Sequence, residues 1–410
     1  MCPPHFQTDW STHCEGCKYP LCSDCISTID SSSYHSKLEC AILASLQTEI
    51  PLEDIKSNTS EITKIMLPNV MYEPVLAIRL LLLRQAEPAK FSIAQTLMDH
   101  DEERRNVSPE YWDHSISTVI NPIVQSFSEN KVETSFEEVC NFVGICEVNN
   151  YEIYNVDRKT GYRAVLPVTS LLSHSCLPNC RPIINRKYPY DNRCLANVDI
   201  PKGTELTINY THLTDPISKR IKNLENNWYF ECTCPRCSDP KGVDSNLEAI
   251  RCNVCCKEEK EVEVGYLRRN GNFKEEISDW VCDGCGQIQD NEVSTALVQQ
   301  LQEEKDRIDL MDIPGLMNFI EKAEAYLHVD HHVLTTTRRW VIPLLCRALR
   351  GPNEVDVRTS FPPEMYKEKI DMCQKQLRVL NACDPGRTKS RGKKQLYLEQ
   401  FLFFFPTWFL

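Results

Sequence analysis

Four cysteines in two separate pieces of the chain have the residue types and spacing to hold one metal ion together. Cys232, Cys234 and Cys237 in "FECTCPRC" provide three thiolates within six residues. A structural zinc site is closed by four ligands, so this set needs one more from elsewhere in the chain. Cys176 in "LLSHSCLPNC" is our candidate. A shared zinc would hold the loop around His174 against the later segment.

The first forty residues carry a second set of metal-ligand types. This segment has few periodic apolar residues, and so short a segment has no core of its own. Eight donors would fill two tetrahedral zinc sites in an interleaved arrangement. The alternative is a cysteine-rich tail with one partial site. The eight candidate ligands are Cys2, His5, Cys14, Cys17, Cys22, Cys25, His35 and Cys40.

A third set consists of two Cys-x2-Cys pairs about thirty residues apart. These are Cys252 with Cys255, and Cys282 with Cys285. This spacing is typical of a zinc ribbon, and it says little about chemistry. Cys256 is expected to be a spare thiol. Together, the three sets predict about three to four structural zinc ions.

Composition favours zinc over disulfide bonds. The chain has 410 residues and 22 cysteines, and its N-terminus shows no secretory signal, so metal thiolates in a reducing compartment are expected. The formal net charge of −12 argues against direct nucleic-acid binding and is compatible with Lys-rich partners. No apolar run is long enough to span a membrane. Seven other cysteines are expected to be buried free thiols, namely Cys140, Cys146, Cys180, Cys194, Cys346, Cys373 and Cys383.

The elements that must position these groups follow from hydrophobic periodicity. Residues 41–140 and 290–380 are predicted to be helical. Residues 141–215, including "CNFVGICEVNNYEIYNV", contain β-branched runs and turn residues that predict a compact β domain. The sequence therefore predicts an α+β fold of several zinc-stabilised modules.

The combined motifs resemble those of the SET-and-MYND (SMYD-type) protein lysine methyltransferases. "LLSHSCLPNC", "DIPKGTELTINY" and "WYFECTCPRCSDP" are similar to a SET core and its post-SET segment, and the N-terminal cysteine array is similar to a MYND finger. "LMDHDEERR", "RCNVC", "WVCDGC" and "DPGRTKSRGK" resemble the arthropod-expanded branch. The resemblance covers the chain up to about residue 395. It implies a finger over 1–45, a helical insert over 46–145, a SET core over 146–215, a post-SET segment over 216–240, a ribbon-like segment over 241–295 and a helical C-terminal domain over 296–410.

The resemblance also implies roles for individual residues. Tyr210 matches the tyrosine at the reaction centre, while His174, Ser173 and Asn149 match positions that contact S-adenosylmethionine. Phe230 looks like the aromatic residue beside the adenine or the lysine channel. Taken alone, Tyr210 and Phe230 would be packing residues and His174 a satisfied polar group. Trp228 is equally compatible with core and channel. The reaction would need a neutral, aligned lysine amine.

Three departures from the family pattern bear on function. The family's loop begins with Asn where this chain has Ser173, whose hydroxyl is shorter than an amide. A Gly-x-Gly segment normally precedes the finger, and we expect this N-terminal SET segment to be absent from the chain. The spacing of Cys22 with Cys25 and of His35 with Cys40 differs by one residue from the usual finger, and His5 replaces a cysteine. One finger zinc should therefore be held less tightly.

Two hypotheses about function follow. The first is an S-adenosylmethionine-dependent protein-lysine N-methyltransferase, acting on a histone or another protein. The second is a catalytically silent MYND/SET adaptor, with transcriptional co-regulation as one role, motivated by Ser173 and by the expected absence of the Gly-x-Gly segment. Under either hypothesis, proline-rich peptides are expected partners of the finger, and neither nucleic acid nor membrane is. The expected location is cytoplasmic, nuclear or both.

Overall fold

A computed structural model describes most of the chain. The described residues are 13–19, 35–46, 61–107, 109–154, 161–184, 192–238, 243–256, 265–270, 279–348, 363–386, 388 and 390–395. They divide into two compact units. The first comprises Met1–Ser173, Pro182–Leu195 and Asn226–Tyr229, and the second comprises His174–Arg181, Ala196–Glu225 and Phe230–Leu410.

The first unit is mainly helical. Its buried apolar residues run from Cys14 to Cys146 and form one core. In chain order its helices are α1 Lys37–Leu46, α2 Glu61–Ala86, α3 Pro88–Ala94, α4 Asp101–Val107, α5 Pro109–Ser115, a π-helical stretch Ile116–Ile120, α6 Asn121–Glu129, α7 Phe136–Val148 and the short α8 Pro167–Ser170.

Helix α7 is the buried centre of this unit. Ser135 caps its N-terminus, where the hydroxyl accepts a hydrogen bond from the Glu138 N–H at 3.1 Å. Gly144 lets the helix approach its neighbours closely, because a Cβ there would lie 2.6 Å from the Asp99 carbonyl oxygen. Our expectation of strands throughout "CNFVGICEVNNYEIYNV" is therefore wrong up to Val148. Apolar residues buried on nearly every side of a helix produce the same continuous run as a buried strand.

Two pairs of strands follow the helices. Strand β1, Asn150–Tyr154, pairs with β2, Gly161–Val165. Strand β4, Cys180–Ile184, pairs with β5, Asn192–Ala196. Every residue of β5 is exposed, so the expectation that Cys194 is buried is wrong. The other six cysteines of that group are buried, as expected.

The short strands β3, Ser173–His174, and β6, Thr207–Ile208, pair with each other. Helix α9, Ile217–Trp228, leads into two short helices, α10 Pro235–Ser238 and α11 Val243–Asn246. A four-stranded antiparallel sheet follows, in the order β10-β9-β8-β7. Its strands are β7 Ile250–Arg251, β8 Tyr266–Arg269, β9 Trp280–Cys282 and β10 Ile288–Gln289.

The described C-terminal part of the second unit is helical, as the sequence predicted; residues 390–395 are helical, and four longer helices precede them. They are α12 Asn291–Asp306, α13 Ile313–Glu324, α14 His332–Ala348 and α15 Pro363–Cys383. Their apolar faces share one core with the four-stranded sheet. No helix within the described ranges has the length and apolar character to cross a membrane.

Three histidines, two just before α14 and one at its first residue, are held neutral by burial. Burial lowers the pKa of His328 and of His332 from 6.5 to about 4. It lowers the pKa of His331 well below 6.5, and His328 and His332 add to that effect. His331 is 1% exposed. Its Nδ1 accepts a hydrogen bond from the Val333 N–H at 3.2 Å.

This arrangement predicts a loss of stability in mild acid. The unfolded chain takes up protons near pH 6.5 and the folded state does not, so stability is fully present above pH 6.5 and falls as the pH drops towards 4. Each histidine adds at most about 1.4 kcal/mol per pH unit to this slope. Denaturant unfolding at several pH values should show a shallower slope for His331→Asn, whose amide oxygen can still accept the Val333 N–H. An identical slope in both proteins would contradict the assignment.

Candidate functional site

The four cysteines expected to share a zinc come together in the second unit. Sulfur atoms of Cys176, Cys232, Cys234 and Cys237 all lie within 4.8 Å of one another. The Cys176 and Cys237 sulfur atoms are 3.5 Å apart. Tetrahedral zinc with bonds of about 2.3 Å separates its sulfur ligands by about 3.8 Å, whereas a disulfide needs about 2.05 Å. A hydrogen bond with Cys176 lowers the pKa of Cys234 to about 5, which favours the thiolate. The residues therefore fit a structural zinc ion.

His174 connects this cluster to Tyr210. Its Nδ1 accepts a hydrogen bond from the Tyr210 backbone N–H at 3.0 Å. The proton of a neutral ring then sits on Nε2, which lies 3.3 Å from the Cys176 sulfur. Both ring nitrogens are thus used within the protein. A cofactor contact from His174 would have to come from its backbone or its ring face.

Three aromatic rings surround this connection. The ring of His174 lies 5.2 Å from that of Tyr210 and 5.9 Å from that of Phe230, and the Tyr210 and Phe230 rings meet edge to face at 6.4 Å. All three are partly buried. Burial raises the pKa of Tyr210, so its hydroxyl keeps its proton at neutral pH. Tyr210 and Phe230 thus offer an uncharged aromatic surface with one hydroxyl group beside the ring of His174.

The Pro-Asn step after Cys176 ties the loop to strand β6. The side-chain oxygen of Asn179 accepts a hydrogen bond from the Thr207 N–H at 2.8 Å, and its amide nitrogen donates to the Glu205 carbonyl at 2.7 Å. The Ser175 N–H donates to the Ile208 carbonyl at 2.9 Å. These bonds hold the His174 loop beside the strand that leads to Tyr210. Asn179 was not among the predicted site residues.

A second cluster lies in the first unit. Cys14, Cys17, His35 and Cys40 offer ligand atoms within 4.8 Å of one another, and the Cys14 and Cys40 sulfur atoms are 3.4 Å apart. The remaining predicted ligands of this finger, Cys2, His5, Cys22 and Cys25, lie outside the described residues. The structure thus brings together four of the eight predicted ligands, in a form consistent with a MYND-type finger.

Two residues that the sequence reasoning missed support this cluster. His35 Nε2 faces the Cys17 sulfur at 3.5 Å, while its Nδ1 lies 3.9 Å from a carboxylate oxygen of Glu39. Arg79 holds that carboxylate at 2.7 Å. A carboxylate behind a histidine fixes the ring orientation that a metal needs. Glu39 lies in the first turn of α1, whereas His35 precedes that helix, so no helical spacing marked the two residues as partners.

The third cluster is built on the four-stranded sheet. The sulfur atoms of four cysteines, Cys252, Cys255, Cys282 and Cys285, lie within 4.8 Å of one another. The Cys252 and Cys285 sulfur atoms are 3.7 Å apart, as are those of Cys255 and Cys282. Cys256 is exposed and outside the cluster. Each of the three clusters can hold one zinc ion.

Two residues with a predicted cofactor role lie in the first unit. The Asn149 amide nitrogen donates to the Met98 carbonyl at 2.8 Å and to the Ile145 carbonyl at 3.1 Å, so it fastens the C-terminal end of α7. Ser173 is exposed at the start of β3. Trp228, left open between core and channel, is the last residue of α9 and is partly exposed.

Comparison with known proteins identifies the domain. Residues 42–211 match the SET domain model. A SET and MYND domain-containing protein of Dictyostelium discoideum is 36% identical over 99 residues, which are 24% of this chain and 25% of that protein. The SET domain-containing protein SmydA-8 of Drosophila melanogaster is 30% identical over 122 residues, 28% and 25% of the two chains. Histone-lysine N-methyltransferase SMYD3 of Homo sapiens is 36% identical over 89 residues, 22% and 20% of the two chains.

The matches concern one class of protein. A stretch of the chain matches the SET domain model, and the chain also has cysteine and histidine clusters of the kind found in MYND-type fingers. Its similarity is to SET and MYND domain-containing proteins and to SMYD3. The alignments span about a quarter of the length of most of the relatives described above.

Proposed function

We propose that the chain is an S-adenosylmethionine-dependent protein-lysine N-methyltransferase. The observation that carries the proposal is the convergence of Tyr210, Phe230 and His174 beside a four-cysteine cluster, at the C-terminal end of the stretch that matches the SET domain model. Relatives named histone-lysine N-methyltransferases support the same reaction class.

The aromatic group has the chemistry to receive this cofactor. S-adenosylmethionine supplies a methyl group on a positively charged sulfonium. Aromatic faces attract cations and stack on flat heterocycles such as adenine. The rings of Tyr210, Phe230 and His174 are partly buried, and the first two are uncharged. We propose that Phe230 and the backbone around His174 hold the cofactor. The cofactor roles that the family resemblance implies for Ser173 and Asn149 stay predictions.

Tyr210 is proposed to prepare the lysine amine. Methylation needs a lone pair on nitrogen, so the ammonium must first lose a proton. A partly buried aromatic surface disfavours the charged form of lysine and lowers the pKa of that amine. The Tyr210 hydroxyl, which stays protonated, can orient the neutral amine for an in-line displacement. Positioning and desolvation therefore supply the rate, and the zinc ions are structural.

The partners follow from the reaction. The substrate is a protein with an accessible lysine, and the acidic net charge of −12 favours Lys-rich segments. The finger around Cys14 is proposed to bind partner peptides, with proline-rich segments as the expected class.

Replacing Tyr210 by phenylalanine tests the proposal. Loss of the hydroxyl should lower kcat by about a hundredfold or more, because one oriented polar group in the reaction centre is removed. Transfer of labelled methyl from S-adenosylmethionine to core histones and to a lysine-peptide library gives the measurement. Tyr326→Phe is the matched control, since Tyr326 is 46% exposed and lies outside the aromatic group.

Unchanged methylation by Tyr210→Phe would overturn the role of Tyr210. If the folded, zinc-loaded wild type bound peptides but neither S-adenosylmethionine nor its demethylated product, the adaptor hypothesis would replace the enzyme.

A further inference from the structure

A buried arginine lies in the segment that carries three of the four cysteines of the Cys176 cluster. Arg236 lies between Cys234 and Cys237 in the sequence and is 4% exposed. Its Nε and Nη2 each donate a hydrogen bond to the carboxylate of Asp244, both at 2.7 Å. A buried guanidinium is stable only when such a partner offsets its desolvation. This ion pair therefore fixes the position of the planar, forked guanidinium group of Arg236.

The same fork reaches two other parts of the second unit. Arg236 Nη1 donates to the backbone carbonyl of Cys176 at 3.2 Å. Its Nη2 donates to the sulfur of Cys383, the last residue of α15, at 3.1 Å. One side chain thus joins the zinc cluster, the His174 loop and the end of the C-terminal helix.

Arg220 completes the network from the other side. It is fully buried, and its Nη1 donates to Asp244 at 3.0 Å and to the Asp215 carbonyl at 2.6 Å. Its Nη2 approaches the Cys237 sulfur at 3.8 Å. Four thiolates around one zinc ion carry a net charge of −2, because four negative charges meet two positive ones. The two arginines and Asp244 together add +1 and so offset part of that charge.

Cys176 is consequently held at two points. Arg236 fixes its carbonyl, and His174 Nε2 contacts its sulfur at 3.3 Å. The other nitrogen of His174 accepts the Tyr210 N–H at 3.0 Å. A displacement of the Cys176 backbone would therefore move the ring that anchors Tyr210.

We propose that Arg236 is a positioning residue that acts through Cys176 and His174 on Tyr210, and that Arg236 also slows zinc release from the Cys176 cluster. The effect on catalysis rests on the function proposed above, whereas the effects on zinc and on the Tyr210 backbone do not. Lysine cannot replace the arginine, because one ammonium cannot grip Asp244 with two parallel bonds while also reaching the Cys176 carbonyl.

Two variants test this role in the zinc-loaded full chain. Arg236→Lys keeps the charge and removes the fork, and Arg236→Met removes both. Arg307→Lys and Arg307→Met are matched controls on a side chain that is 77% exposed. The first readout is zinc release to a chromophoric chelator. One zinc should leave about 10- to 100-fold faster in both Arg236 variants, the usual effect of losing a residue that supports a metal ligand. The other zinc ions should be unaffected.

The second readout is amide hydrogen exchange. The amides of Tyr210 and Ser175 should exchange faster in both Arg236 variants, with little change elsewhere. In methylation assays, kcat should fall while KM for the protein substrate stays constant. If Arg236→Met does not fold, Arg236→Lys still decides the question.

The outcomes separate the two proposals. Unchanged zinc release overturns the role of Arg236 at the metal, and unchanged exchange at Tyr210 overturns its positioning role. A wild-type protein that transfers no methyl group contradicts the proposed function, but the zinc and exchange results still decide the role of Arg236.

Discussion

Cys176→Ser is expected to release one zinc ion and to loosen the His174 loop. The serine hydroxyl is a far weaker zinc ligand than a thiolate, so three cysteines would remain where a closed structural site needs four. Removing the metal also leaves Cys232, Cys234 and Cys237 without the ion that joins them to the loop. Metal analysis should find one zinc fewer than in the wild type, and the melting temperature should fall by several degrees.

Cys256→Ser is the matched control. Cys256 is exposed and lies beside a different cluster without joining it, so this variant should keep its zinc content and its melting temperature. Equal zinc content in Cys176→Ser and wild type would show that Cys176 is not a ligand.

Gly386→Ala is expected to be the most damaging single-methyl addition among the described glycines. Gly386 has a φ of +84°, a region that favours glycine, and an added Cβ would lie 1.8 Å from the Asn197 carbonyl oxygen. That oxygen belongs to rigid backbone, since the Asn197 N–H donates to the Asn179 carbonyl at 2.7 Å. The free energy of unfolding should drop by about 3 kcal/mol or more, from backbone strain and steric clash together.

Two other glycines separate these causes. Gly203 has a φ of +88° with open space around it, so Gly203→Ala carries the backbone strain alone, about 1 kcal/mol. Gly392 has neither feature, and Gly392→Ala should be neutral or slightly stabilising. Denaturant unfolding of the three variants gives the comparison. A loss for Gly386→Ala no larger than that for Gly203→Ala would contradict the close contact with Asn197.

The metal clusters were largely predictable because ligand spacing is a local signal. Two Cys-x2-Cys pairs identified the cluster of Cys252 and Cys282 completely. The Cys176 cluster needed a ligand count, and the structure brings that cysteine to its three partners across a gap of more than fifty residues. Four of the eight predicted finger ligands lie within the described residues and form a cluster. The other four stay a prediction, as do the module boundaries and the cofactor role of each residue.

The residues that hold the clusters in place were not predictable. Arg236 meets Asp244, Cys176 and Cys383 only after folding. Glu39 depends on Arg79, forty residues later in the chain. Charged residues at such separations show no periodic pattern, and their usual interpretation is a solvated surface. Their burial is set by tertiary packing alone.

Two further differences have the same origin. Helix α7 carries β-branched and apolar residues on nearly every side because it lies in the middle of the core, and this obscured the helical period. Cys194 was expected to pack as a small apolar residue, but it lies in β5, which pairs with β4 and has every residue exposed. Local sequence propensity predicts whether a segment forms a helix or a strand, whereas the burial of its residues depends on the elements that pack against it.

Calorimetric titration of S-adenosylmethionine into the zinc-loaded chain is the most direct test of the proposed methyltransferase. We expect saturable binding to one site per chain, lost in Cys176→Ser and retained in Cys256→Ser, because the cofactor surface depends on the zinc-held loop. Absence of binding by a protein shown to be folded and fully zinc-loaded would contradict the account and leave the chain as a partner-binding adaptor.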